Sequence, residues 1–182
     1  CEITSSVLFC GGGPERMDRT GIWSLAMRKP HAGHFAGSGA QYWPAKDADG
    51  RTEKSVELVR QVLRCVEFCK PDWWALENPV GWLNCCIPEL AEFGPWYWQP
   101  HWFGDAYTKK TGLWGNFNRD LPRNDVAPVR VCNQGSWIQR LGGKSDKTKE
   151  LRSMTPMGFA RAFYAANSWN TEKANEKAEG LR

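Results

Sequence analysis

The stretch Trp73-Trp74-Ala75-Leu76-Glu77-Asn78-Pro79-Val80-Gly81-Trp82-Leu83 decides how the rest of the chain is read. An apolar run reaches a carboxylate and an amide, and a proline and a glycine then turn the backbone. This order predicts a strand with Glu77 at its C-terminal end, the edge at which open α/β sheets bind their ligands. By spacing alone, Glu77 reads equally well as a cap for the following turn and as a functional carboxylate.

Upstream of that strand, Val56, Val59, Leu63 and Val66 recur at three- and four-residue spacing, with Leu58, Val62 and Cys69 widening the stripe. The pattern predicts a helix from about Thr52 to Cys69, closed by Lys70-Pro71-Asp72. Helix followed by strand is one step of a βαβ alternation. Further upstream, His34 to Trp43 reads as a small-residue loop closing on aromatics, followed by a polar turn at Lys46-Asp47-Ala48-Asp49-Gly50. Residues 1–33 carry little pattern beyond a short strand within Cys1–Cys10, broken by Gly11-Gly12-Gly13-Pro14. No helix follows this triplet to face a phosphate, so a phosphate loop is not indicated.

Downstream, Trp82 to Gly94 reads as a connection, Pro95 to Pro100 alternates like a strand, and Thr111 to Gly115 suggests another. The loop between these strands, Phe103 to Lys110, presents two adjacent cations, Lys109 and Lys110, which suit either solvent or a phosphate or base. From Leu121 to Gly143 the chain is turn-rich, with a short extended piece near Val129–Cys132. A basic segment spans Ser145 to Arg152. The final helix is predicted from Pro156 to about Ala166, with Phe159, Ala162 and Phe163 on one side and Thr155 as its N-cap. Residues 168–182 read as a solvated tail.

With 182 residues and 41% hydrophobic content, the chain suits one domain with its own core. No apolar run approaches the roughly 18 residues of a membrane span, and no basic-then-apolar secretory pattern opens the chain, so a soluble intracellular protein is expected. The seven cysteines include no Cys-x-x-Cys pair, which argues against a disulfide framework and a zinc ribbon. Cys65 and Cys69 lie one helical turn apart and are expected as buried thiols. Cys85-Cys86 is expected to be structural, and no metal is indicated. The formal charge of +4 permits a locally basic face without requiring one. Eleven tryptophans suit core filling first and base stacking second.

Glu77-Asn78-Pro79-Val80-Gly81 after an apolar strand resembles the Glu-Asn-Val element of the 5-cytosine DNA methyltransferases, in the proline variant usual among their short phage-borne relatives. Three other segments agree in order. Phe103-Gly104-Asp105-Ala106-Tyr107-Thr108-Lys109-Lys110-Thr111 followed by Leu113-Trp114-Gly115 resembles the family's next element, with Lys109 and Thr111 where two spaced arginines would stand. Arg152-Ser153-Met154-Thr155-Pro156 resembles its Arg-x-x-Thr-Pro element, and His34-Phe35-Ala36-Gly37-Ser38-Gly39 the loop after its catalytic cysteine. The likeness covers about residues 34–167.

The resemblance implies a doubly wound, Rossmann-like methyltransferase fold of α/β class, incomplete in its N-terminal half. It also implies methyl transfer from S-adenosylmethionine to cytosine C5 in double-stranded DNA, in a phage or prophage setting in the bacterial cytoplasm. Cytosine C5 is a poor nucleophile, so the family adds a cysteine thiolate to C6 while a carboxyl group hydrogen-bonds N3 and the amino group of the flipped base. On this likeness Glu77 grips the base and Asn78 orients it, while Lys109, Lys110, Thr111 and Arg152 are the substrate-contact candidates.

The chain departs from the family where the Pro-Cys nucleophile should stand: the position holds Ala32. The glycine-rich cofactor loop is also missing. Codons permitted for Lys29–Gly33, read one register over, can spell Ala-Pro-Cys-Gly, and those for Thr20–Leu25 can spell Trp-Asp-Leu-Val-Ile. Residues 1–33 are therefore expected to be an out-of-frame segment, and the chain as printed inactive. Two other readings remain open: a non-catalytic phage DNA-binding or decoy protein, and a glycosidase-type pair of Glu77 with Asp105.

Overall fold

The computed structural model describes residues 7–11, 23–25, 35–129, 131–132, 135–136, 145, 147–148, 151 and 154–167. Ala32, Arg152, most of residues 1–33 and the tail from 168 lie outside the described residues.

In chain order the strands are β1 (Val7–Gly11), β2 (Trp23–Leu25), β3 (Trp73–Pro79), β4 (Trp96–Trp98), β5 (Thr111–Asn116), β6 (Val131–Cys132) and β7 (Gly135–Ser136). The helices are α1 (Trp43–Ala48), α2 (Arg51–Cys69), α3 (Leu83–Cys86) and α4 (Met157–Asn167). Five strands form one sheet in the order β2-β1-β3-β5-β4, while β6 and β7 form a separate pair. Every neighbouring pair in the five-stranded sheet is antiparallel.

The register of β3 on β5 pairs Leu76 with Trp114, Glu77 with Leu113, Asn78 with Gly112 and Pro79 with Thr111. Trp98 of β4 pairs with Thr111 from the other side. The C-terminal ends of β3 and β4 and the start of β5 therefore share one end of the sheet. Alternation along the strands then sorts the side chains between two layers.

On one face, Trp74, Leu76 and Trp114 pack with Val59 and Val62 of α2 and with Phe35, Leu83, Ile87 and Leu90. On the other, Ala75 and Leu113 pack with Trp98, Phe103, Phe117 and Leu121 and with Phe159, Ala162 and Phe163 of α4. Buried on both faces, β3 has the continuous apolar sequence that one-sided strands lack.

The α2 helix follows the predicted valine stripe and ends where Lys70 adopts a left-handed conformation, its N–H donating to the Val66 carbonyl. Two expectations about α2 and its approach need correction. Cys65 and Cys69 are exposed: Cys65, like the 89% exposed Phe68, lies off the buried Val59–Val62 stripe, and Cys69 is the last residue of the helix. The polar turn expected at Lys46–Gly50 is largely helical: Trp43–Ala48 forms α1, started by Pro44 at a position where a missing N–H costs nothing. Ahead of it, Gly37–Tyr42 forms a 3-10 turn rather than an open loop.

Helix α4 is held at both ends by distant parts of the chain. The expected cap was Thr155, but the carboxylate reaching the first turn is that of Asp105, which accepts from the Gly158 N–H at 2.8 Å. At the far end, Asn167 Oδ1 accepts from the Asn118 N–H at 2.7 Å, and its Nδ2 donates to the Asn118 carbonyl at 3.2 Å. A side chain at Gly158 would run into the Phe103 carbonyl, so the close seating of α4 requires that glycine.

Candidate functional site at the end of the central strand

Glu77 and Asn78 occupy the last half of β3 and point to opposite faces, as successive strand residues must. Asn78 turns toward the α2 side and is fully buried at 0% exposure; its Nδ2 donates to the Pro79 carbonyl at 3.0 Å. That bond ties the amide to the backbone at the start of the turn. Glu77 shares its face with Ala75 and Leu113, on the α4 side, and keeps partial access to solvent.

Lys109 stands on the same side, two residues before the start of β5. Its backbone N–H donates to Gln99 Oε1 at 2.9 Å, and its carbonyl accepts from the Thr111 hydroxyl at 3.0 Å. The backbone carrying the ammonium is thus fixed from both sides. Its Nζ lies 3.4 Å from the Met154 carbonyl, so the start of the C-terminal segment reaches the same place.

Burial pushes the Glu77 carboxyl up from an ordinary 4.5 to about 7, and the nearby Lys109 ammonium opposes that rise. Burial in turn lowers the pKa of Lys109, with the Glu77 charge working the other way. Near neutral pH a carboxyl of this kind is present as both acid and carboxylate. It can donate an O–H to one ligand atom and accept a hydrogen bond at its other oxygen.

A second feature closes the turn beyond β3. Gly37 N–H donates to the Val80 carbonyl at 2.9 Å, and Trp82 N–H to the Phe35 carbonyl at 2.8 Å. Ala36 and Gly81 form the antiparallel bridge between these bonds. A Cβ on Gly81 would fall 1.7 Å from the Phe35 carbonyl oxygen, so only glycine lets the two backbones meet. Phe35–Gly37 is consequently fastened to the turn just after Glu77 and Asn78.

Of the residues singled out in the sequence, Glu77, Asn78, Lys109, Lys110 and Thr111 all gather at this one end of the sheet. Their roles differ. Thr111 is fully buried and commits its hydroxyl proton to the Lys109 carbonyl. Lys110 is exposed, its ammonium 4.5 Å from the centre of the Tyr97 ring. Arg152 lies outside the described residues. Asp105, the proposed partner of Glu77 in a glycosidase-type pair, is engaged at the start of α4. Gln99 was not foreseen, because a single glutamine between a strand and a proline carries no local signature. Cys85 is exposed, and no cluster of three metal-ligating side chains occurs among the described residues.

Comparison with protein-family models, with curated proteins and with solved structures finds no match for this chain. No helix among the described residues is long and apolar enough to cross a membrane.

Proposed function

We propose that this chain is a base-gripping domain of the 5-cytosine DNA methyltransferase type, without the chemistry of methyl transfer. The observation that carries the reading is the pairing of Glu77, poised near neutrality, with the fixed Lys109 at one sheet end. In the acid form Glu77 donates to cytosine N3, while its other oxygen accepts from the 4-amino group. Thymine presents N3–H and a carbonyl at those positions and mismatches both contacts. Lys109 supplies a positive charge beside the base or its phosphate. The bridge between Phe35–Gly37 and Val80–Trp82 supports the same reading, because it draws the segment after position 32 toward the gripping end.

The layering supports a doubly wound parent fold. Helices α2 and α4 cover opposite faces of the sheet. The strand directions do not add to that support, because every neighbouring pair in the sheet is antiparallel, whereas a doubly wound sheet is mostly parallel.

In the parent family the methyl group comes from S-adenosylmethionine. Gly11, the described glycine of the N-terminal triplet, is held in β1 opposite Trp73 rather than in a turn facing a helix, and so supplies no loop for that cofactor. No step is attributed to the cofactor in this chain. With alanine at position 32, no thiolate adds to C6 either, which favours a non-catalytic DNA-binding or decoy role as the second reading.

The test is binding of the purified chain to DNA with one unpaired cytosine, against the same DNA carrying thymine there. Preference for cytosine that Glu77→Ala abolishes, with binding weakened by salt and by Lys109→Ala, is the expected result. Equal affinity for both bases would refute the grip. Transfer of labelled methyl to DNA would overturn the loss of chemistry.

A further inference from the structure

We propose that the stacked Trp43 and Trp82 rings form a platform for a nucleobase close to the cytosine held by Glu77 on the same DNA strand. This inference rests on the base-gripping reading. The two indoles are nearly parallel, 9° apart, with centroids 4.2 Å apart. Trp82 nevertheless remains 40% exposed, and Tyr42 beside Trp43 is 54% exposed. Most of the described large aromatics are packed into the two core layers, so a parallel pair with one ring exposed and the other half-buried is an unusual use of tryptophan here.

The platform is rigid. The Trp82 N–H is fixed to the Phe35 carbonyl, and the Trp82 carbonyl accepts from the Cys85 and Cys86 N–H groups at the start of α3. These bonds fix the backbone that carries the ring and the stack on Trp43 orients the ring itself, so a base stacking on it costs little freedom, and every base offers a face to stack.

Position and charge single out a nucleic-acid strand as the occupant. Trp82 follows Glu77 by five residues, a span of at most about 18 Å that a few nucleotides cover. The exposed ammonium of Lys110 lies at the same end of the sheet, supplying the positive charge that a phosphate backbone requires.

The measurement is affinity for a labelled duplex with one unpaired cytosine, in which flanking bases are removed one at a time to leave abasic sites. The platform predicts that removing one particular flanking base weakens binding about tenfold, and that Trp82→Ala weakens the intact DNA as much while losing that dependence. Trp82→Phe keeps a ring and retains most of the affinity; Phe68→Ala, on the far end of α2, changes nothing. If no flanking base matters, if folded Trp82→Ala binds like the original, or if the chain does not bind DNA at all, the platform is refuted. Should Trp82→Ala fail to fold, the abasic series on the unaltered chain decides alone. Failure of the two proposals looks different: a flanking-base effect without cytosine preference removes the grip and leaves the platform, and the reverse result removes only the platform.

Discussion

Glu77 and Asn78 are adjacent in the chain, yet they face layers built from different materials. The α2 layer over Asn78 is largely aliphatic, with Val59, Val62, Leu83, Ile87 and Leu90, and is closed beyond the strand by the bridged segments at Phe35–Gly37 and Val80–Trp82. The α4 layer is ring on ring: Trp98 stacks on Phe159 with centroids 3.6 Å apart, and Phe103, Phe117 and Phe163 surround them. Glu77 on this face is partly buried and keeps some access to solvent. One face therefore buries a neutral amide that serves the backbone, and the other leaves a carboxyl and an ammonium dry enough to be shifted and open enough to meet a ligand.

The aliphatic face should break most sharply. Leu76→Ala, at a fully buried position between β3 and α2, is expected to cost about 2–5 kcal/mol in urea unfolding. Only a loss well under 1 kcal/mol would contradict the packing described.

The charged face should reveal itself through pH. The folded Glu77 carboxyl holds its proton up to about pH 7, whereas the unfolded one releases it near 4.5. Between those values the unfolded state binds fewer protons, so stability falls as pH rises, by up to about 3 kcal/mol from this group, and levels off above pH 7. Glu77→Gln is expected to remove most of that slope. An unchanged slope in the variant would place the titrating group elsewhere.

The anchoring of α4 gives a smaller effect. Asp105→Ala is expected to cost about 0.5–2 kcal/mol through loss of the cap on Gly158. Amide exchange should quicken first in the opening turn of α4 while α2 keeps its protection. Equal loosening of both helices would mean that the layers are not independent. Smallest of all, Phe68→Ser on the outward face of α2 should shift stability by no more than about 0.5 kcal/mol.

Helix α2, strand β3 and helix α4 were legible because their signals are local. Valine spacing, an apolar run ended by Pro79, and phenylalanines on one side of a helix each depend on residues within a few positions of one another. The exposed cysteines show the limit of such signals: Cys69 is in phase with the valine stripe, but phase alone does not say whether the last residue of a helix is covered, and Cys65 lies off the stripe. Asp105 displaced Thr155 as the source of the cap because a long-range loop delivers a carboxylate that no short motif announces.

By itself the sequence determined helix α2, strand β3 and helix α4, the turn after Glu77 and Asn78, and the suspicion that this carboxylate is functional. Only the tertiary structure decided that Asn78 is sealed while Glu77 is not, that Gln99 and Thr111 fix Lys109 beside it, and that Phe35–Gly37 clasps the turn at Gly81. Periodicity reports how a residue sits relative to its own element. Burial, pKa and the meeting of distant backbones depend on where the neighbouring layers end, and that is set when the whole chain packs.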